Sequence, residues 1–271
     1  MRWRLVVLVA VVLTAGCGSL FAADGGAERA EQATLTPAPV PEITPTPEQW
    51  PLAPGLTADG VADADVLAEA HREAVANRSY VFRVRRGFGV RVNGTVPTNH
   101  TTVARVESPR VYRVWTHEEE VRFQRGLTQL DNYSVYANGT ASTIRSQLPD
   151  QLPTVRRQSA ITPAVQHRHI GVRATDAVRQ FLAVGNVTVT PVRFDGRRHY
   201  LVSGGSYSGF AAGALDNENV TALVSPEGFV RSLDVSYSVR RMGDPRSVRY
   251  TFTYERVGNT TVDRPDWVDA D

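Results

Sequence analysis

The sequence predicts a mainly β (α+β) fold: a curved antiparallel sheet or half-barrel of about ten strands, with two or three covering helices. Three observations carry this. Beyond residue 80, apolar residues recur at every second position, the period of a strand with one buried face. Turn-forming pairs, Asn93-Gly94, Asn138-Gly139 and Asp195-Gly196, separate those runs. Two stretches, 63–77 and 176–184, show helical spacing instead. So little helix cannot cover so wide a one-sided sheet. The sheet must curl onto its own core or enclose an apolar cavity.

Residues 1–16 have the layout of a secretory signal. Arg2 and Arg4 precede the apolar run Leu5–Leu13, and the small residues Ala15 and Gly16 follow. The run is too short to span a membrane as a helix, which takes ~20 residues. Leu13-Thr14-Ala15-Gly16-Cys17 reads as a lipobox, with Cys17 as acceptor of a thioether-linked lipid. Cys17 is the only cysteine, so it has no disulfide partner in the chain. Thr14 stands where bacterial lipoboxes prefer Leu, and no Arg-Arg pair indicates the twin-arginine route. An ordinary signal with an incidental cysteine is the alternative. Residues 17–62 are then the lipidated cysteine and a tether, with seven prolines between Pro37 and Pro54. Proline fixes φ and removes a donor, so the tether is expected to be extended. A single β-rich domain is expected over 63–271.

That domain opens with a helix over 63–77, capped by Asp63 or Asp65, with an apolar stripe through Val66, Leu67, Ala70, Ala74 and Val75. His71 lies beside the stripe, a boundary histidine by its position. A long strand follows, with Tyr80, Phe82, Val84, Phe88, Val90 and Val92 on one face and Arg86 as its single break. Further strands are expected over 101–107, 110–116 and 140–145, and more weakly over 121–123 and 133–136. Residues 146–171 read as irregular. Thr175 can cap a second helix over 176–184, with Val178, Phe181 and Leu182 inward. Strands are expected over 187–194, 199–203, 220–225, 229–240 and 246–255, with a flexible glycine-rich stretch at 204–213.

The chain contains no lysine; all 30 basic residues are arginine. P-loop, kinase-type, Schiff-base and Ser-Lys chemistries are therefore excluded. Removing the signal leaves 28 basic and 28 acidic residues, a balance unlike that of nucleic-acid binders. Eight of nine asparagines lie in Asn-X-Ser/Thr: Asn77, Asn93, Asn99, Asn132, Asn138, Asn186, Asn219 and Asn259. Chance yields one or two, so these are candidate N-glycosylation sites on a surface outside the cytoplasm.

Other constellations are weaker. His167 and His169 would share a strand face, but zinc needs further ligands. The segment 204–209 does not fit Gly-X-Ser-X-Gly. Glu118-Glu119-Glu120 could hold a cation or act as paired carboxylates, and suits a solvated hairpin tip as well. Arg86 and Arg231 each interrupt an apolar face; they read as rim residues, with an anionic head group at a cavity mouth as the other account.

The order of lipobox, Pro/Thr tether, Ala70-His71 helix running into Ser79-Tyr80-Val81-Phe82, the segment Ser225–Leu233, and the close Asn259-Thr260-Thr261-Val262 to Pro265-Asp266-Trp267-Val268 resembles a family of haloarchaeal surface lipoproteins of unknown function. That family is similar in fold to LppX/LprG-type and LolA-type lipoproteins. The resemblance implies a LolA-like half-barrel holding acyl chains, without catalysis or cofactor. The expected protein is thus a glycosylated lipoprotein anchored on the exterior face of the cell membrane, binding a lipid or other apolar ligand. The alternatives are an envelope interaction module with a filled core, and an exterior hydrolase, which would need His, Asp and Ser gathered in a cleft.

Overall fold

The computed structural model describes residues 51–89, 98–118, 132–147, 151–207, 215–241 and 244–269. These belong to one compact unit, Pro47–Asp271. Cys17, the signal, most of the tether, Asn93-Gly94 and the strand expected over 121–123 lie outside the described residues.

In chain order the elements are β1 (Leu56–Thr57), β2 (Gly60–Val61), α1 (Ala64–Val75), β3 (Tyr80–Gly89), β4 (Thr98–Ser108), β5 (Val111–Glu118), β6 (Asn132–Asn138), β7 (Ser142–Gln147), β8 (Thr154–Gln158), α2 (Gly171–Phe181), β9 (Val184–Phe194), β10 (Arg197–Tyr207), β11 (Leu215–Val224), β12 (Val230–Arg241) and β13 (Asp244–Glu255). β1 and β2 form a small hairpin. The other strands make one 11-stranded sheet in the order β8-β7-β6-β5-β4-β3-β13-β12-β11-β10-β9. Every pairing is antiparallel. The expected fold class holds: the sheet is curved and open, with β8 and β9 as free edges.

The topology explains the helices. The chain meanders outward from the sheet centre, β3 to β8, and then meanders back from the far edge, β9 to β13, to pair with β3. Between these meanders it must pass from one edge to the other. The 3-10 turn Ala164–Gln166 and α2 make that passage. α1 and α2 pack against each other on the inner face, where their apolar residues join the core.

Several boundaries differ from expectation. The folded part begins before residue 63, because Ala53 and Leu56 are buried in the core. Gly55 has φ +74, and a Cβ there would stand 2.2 Å from the Asp63 carbonyl oxygen. Prolines 51 and 54 therefore belong to a folded entry, not to the tether. Asp63 caps α1, its Oδ1 accepting from the N–H groups of Asp65 and Val66. The buried face of α1 is Leu67, Ala68, His71 and Val75, rotated from the expected stripe, and Val66 is exposed. The region 146–171 is not wholly irregular. β8 lies there, an exposed edge strand whose sequence Thr-Val-Arg-Arg-Gln has no apolar alternation to reveal it. α2 starts at Gly171, so Thr175 is a buried interior residue, not a cap. In β12 a bulge at Arg231 breaks the alternation: Val224 pairs with Val230 but Leu223 with Ser232. Val230 and Leu233 both enter the core, and Arg231 turns out to meet Asp195 at 3.2 Å.

Candidate functional site

The central pair β3 and β13 runs beneath both helices. Under α1 the inner face is filled with aromatic rings: Tyr80 and Phe82 pack on Tyr254 with centroids 5.0 and 4.8 Å apart. His71 reaches into this cluster from α1. It is fully buried, so the expected boundary position is corrected: its partners are long-range. The Val230 N–H donates to His71 Nδ1 at 3.2 Å, which leaves the ring proton on Nε2 to donate to the Tyr254 hydroxyl at 3.3 Å. Burial lowers the His71 pKa to about 3, so the ring is neutral.

Further along the same strands the packing opens. Between α2 and the inner face of β3, β13 and β12 lies a cleft of about 400 Å³. Arg86, Arg168 and Arg173 form its basic side; Phe181, Tyr237 and Tyr250 supply aromatic surface. The Phe181 and Tyr250 rings are 5.3 Å apart. Arg173 Nη1 donates to His100 Nε2 at 2.7 Å, and the Arg168 guanidinium lies 5.4 Å from the Tyr133 ring. Asp176, a carboxylate in the wall, is paired with Arg179 at 2.9 Å. Arg86 makes no ion pair among the described residues.

The informative group is Tyr250. It is only 8% exposed, yet its hydroxyl has no hydrogen-bond partner among the described residues. Burial raises its pKa, so it keeps its proton and remains a donor. A buried hydroxyl with no bond costs free energy that a ligand atom would recover. The cleft thus presents a neutral phenol donor, guanidinium groups and apolar surface, the set that suits an anion joined to an apolar body.

Of the sequence candidates, Arg86 alone lands in this cleft, and Arg231 does not. His167 and His169 do not lie on a strand; they precede α2, with rings 5.8 Å apart. No group of three or more His, Cys, Asp or Glu able to hold a metal occurs among the described residues. Among the described residues both ring nitrogens of His169 are buried without a hydrogen-bond partner, and burial, Arg168 and Arg173 lower its pKa to about 3. Gly204 lies inside β10, and Glu118 ends β5. Asn77, Asn132, Asn138, Asn186, Asn219 and Asn259 are exposed; Asn93 and the Asn99 side chain lie outside the described residues. Nothing in the sequence marks Tyr250 as special, since it sits in unbroken alternation. Arg168 lies within 146–171, expected to be irregular, and Arg173 lies between that stretch and the helix expected over 176–184. No described helix is long and apolar enough to cross a membrane.

The site and sheet together define an open, helix-strapped antiparallel sheet with a basic, aromatic cleft under α2. No protein-family model matches the chain, and no curated protein matches it. Among solved structures, the chain is similar to LprF from Mycobacterium bovis, at 13% identity over 75% of this chain and 96% of that one, with a TM-score of 0.36. It is similar to a LolA-superfamily protein from Nitrosomonas europaea at 10% identity over 76% and 96%, TM-score 0.23. A DUF1329-family protein from Desulfovibrio piger gives 11% identity over 75% and 94%, TM-score 0.24. Likeness at these scores carries no functional weight; the cleft itself is what bears on function.

Proposed function

We propose that the chain is a lipoprotein of the cell exterior, anchored through Cys17, that binds an amphipathic anion in the cleft under α2 and catalyses nothing. The observation that carries the binding reading is the buried, unpartnered Tyr250 hydroxyl beside Arg86, Arg168 and Arg173. A lipid with an acidic head fits this chemistry: the head meets the arginines and the phenol, and the chain lies on Phe181 and Val248. The volume falls in the range of ~300–1,000 Å³ usual for small-ligand sites. Anchoring rests on the lipobox, and glycosylation on the eight sequons, six of which place an exposed asparagine. The resemblance to haloarchaeal surface lipoproteins supports the same placement. In this reading the signal is 1–16, a tether follows, and the folded unit begins near Pro47.

Native mass spectrometry of the full chain in detergent micelles, before and after organic extraction, tests the reading. The thioether lipid stays on Cys17 through extraction. The expected result is an additional mass that extraction removes and that Arg86→Gln reduces. A chain with no removable mass, and no uptake of an added anionic lipid, would put the second reading in front. That reading, an envelope interaction module with a filled core, is favoured by the close packing beneath α1.

A further inference from the structure

The outer face of the sheet carries a second hollow, of about 360 Å³, on the opposite side from the α2 cleft. Its floor comes from β5, β6 and β7. Across those strands Trp115 lies opposite Ser134, and Ser134 opposite Arg145; Asn132 lies opposite Gln147. His117 Nδ1 is 2.8 Å from Asn132 Oδ1, so the imidazole donates there and holds the amide in place. The segment after β13 closes the hollow from the side. Its Gly258 N–H donates to the Ser79 carbonyl at 2.7 Å, and its Val262 N–H to Glu107 Oε2 at 2.9 Å. This course across β3 and β4 brings Trp267 to the wall.

The charges here lack a structural explanation. Arg113 and Arg145 both line the hollow, and among the described residues no carboxylate does. Arg113 stands directly opposite Arg105 on β4, an unfavourable like-charge pair. Among the described residues none of the three arginines makes an ion pair. Arg113 Nε is moreover buried with no hydrogen-bond partner. Stability alone would favour a carboxylate opposite Arg113, or an apolar neighbour.

A ligand explains what stability does not, and the side chains define its class. Two indoles offer flat apolar surface with a polar edge. Guanidinium forks take a carboxylate in bidentate fashion. Asn132, Gln147 and Ser134 add neutral donors and acceptors at strand spacing. Sugar rings use all three: C–H faces stack on indole, vicinal hydroxyls pair with planar amides, and a ring carboxylate seats on arginine. An acyl chain would leave the polar groups unpaired, and a free inorganic anion would leave the tryptophans unused. We propose that this outer-face groove binds an acidic saccharide, a sugar chain bearing carboxylates.

Isothermal titration of the full chain in detergent micelles tests this, with protein made free of N-glycans because the Asn132 sequon lies in the groove floor. The probes are trigalacturonate, maltotriose and inorganic phosphate. Trigalacturonate is expected to bind saturably, and maltotriose at least about tenfold more weakly. Arg145→Gln is expected to lower trigalacturonate affinity about tenfold, and Trp115→Ala by at least as much, while Trp115→Phe keeps most of it. Thermal unfolding followed by circular dichroism checks that each variant is folded. Arg86→Gln, in the inner cleft, leaves this binding unchanged. Equal affinity for maltotriose, equal competition by phosphate, or parental affinity in folded Trp115→Ala and Arg145→Gln would each overturn the proposal.

Discussion

β3 and β13 are paired along their length, yet their two ends sit in opposite environments. Under α1, Tyr80, Phe82, Phe252 and Tyr254 close around His71, and both ring nitrogens of that histidine are bonded. Under α2, Arg86, Val248 and Tyr250 border a cleft, and the Tyr250 hydroxyl has no hydrogen-bond partner among the described residues. Both ends bury an aromatic hydroxyl; only one end satisfies it. Buried polar groups in folded proteins are nearly always paired. The contrast therefore separates the part of the inner face that holds the fold together from the part left available to a ligand.

The largest expected effect lies in the satisfied half. His71→Ala removes a fully buried ring and strands both the Val230 N–H and the Tyr254 hydroxyl. It should cost about 4 kcal/mol of stability, read from urea unfolding. A loss under about 1 kcal/mol would mean that the α1 half is no more tightly built than the cleft.

Acid should act on the same residue. In the fold, burial lowers the His71 pKa from 6.5 to about 3. As pH falls below 6.5 the unfolded chain takes up a proton that the native ring refuses until about pH 3. The stability His71 allows is thus complete above pH 6.5, drains between 6.5 and 3, and levels off below. The loss should be of order 5 kcal/mol, and the slope should flatten in His71→Ala. His167 and His169, lowered to about 4 and about 3 by burial first, contribute with the same sign and account for the slope that remains. A parent profile flat from pH 7 to 4 would show that water reaches His71.

A matched pair of hydroxyl deletions sharpens the contrast. Tyr254→Phe breaks the bond to His71 Nε2 and should cost about 1 kcal/mol. Tyr250→Phe breaks nothing seen in the structure. It should leave stability unchanged or raise it by up to about 1 kcal/mol, while weakening ligand binding. Equal losses in both would reveal a partner for Tyr250 and remove the reason to single it out.

Much of this sheet was legible in the sequence, and the site was not. Period-2 alternation marks β3, β12 and β13 because each has one buried face, and Asp63 marks the start of α1 as a cap. The exceptions have separate physical causes. β8 is an exposed edge and needs no apolar face. Gly171 starts α2 because a Cβ there would stand 2.2 Å from the Val165 carbonyl oxygen, a tertiary contact that no local pattern displays. Arg231 appears on the apolar face only if the bulge in β12 is overlooked. Tyr250 is the deepest case: its neighbours Val248, Phe252 and Tyr254 alternate identically, so nothing local distinguishes a bonded hydroxyl from an unbonded one. That distinction depends on whether a histidine from α1 or open space lies above the ring.

Arg86 gives the smallest effect on folding and the most selective one on function. It was visible in the sequence as a break in an apolar strand face, with two accounts: a rim residue whose stem packs, or a cation facing an anionic head. The structure places it beside Tyr250 and exposes it to solvent. If its stem is structural, Arg86→Gln should destabilise the ligand-free protein by more than about 1 kcal/mol through lost packing. If it faces a ligand, ligand-free stability should change by no more than about 0.5 kcal/mol. The ligand-linked part should then differ instead. An anionic lipid at a hundred times its dissociation constant stabilises the parent by about 2.7 kcal/mol. A tenfold loss of affinity removes about 1.4 kcal/mol of that at the same lipid concentration. Thermal unfolding with and without lipid reads both quantities in one experiment. The rim account survives only if the shift on adding lipid is the same in parent and variant.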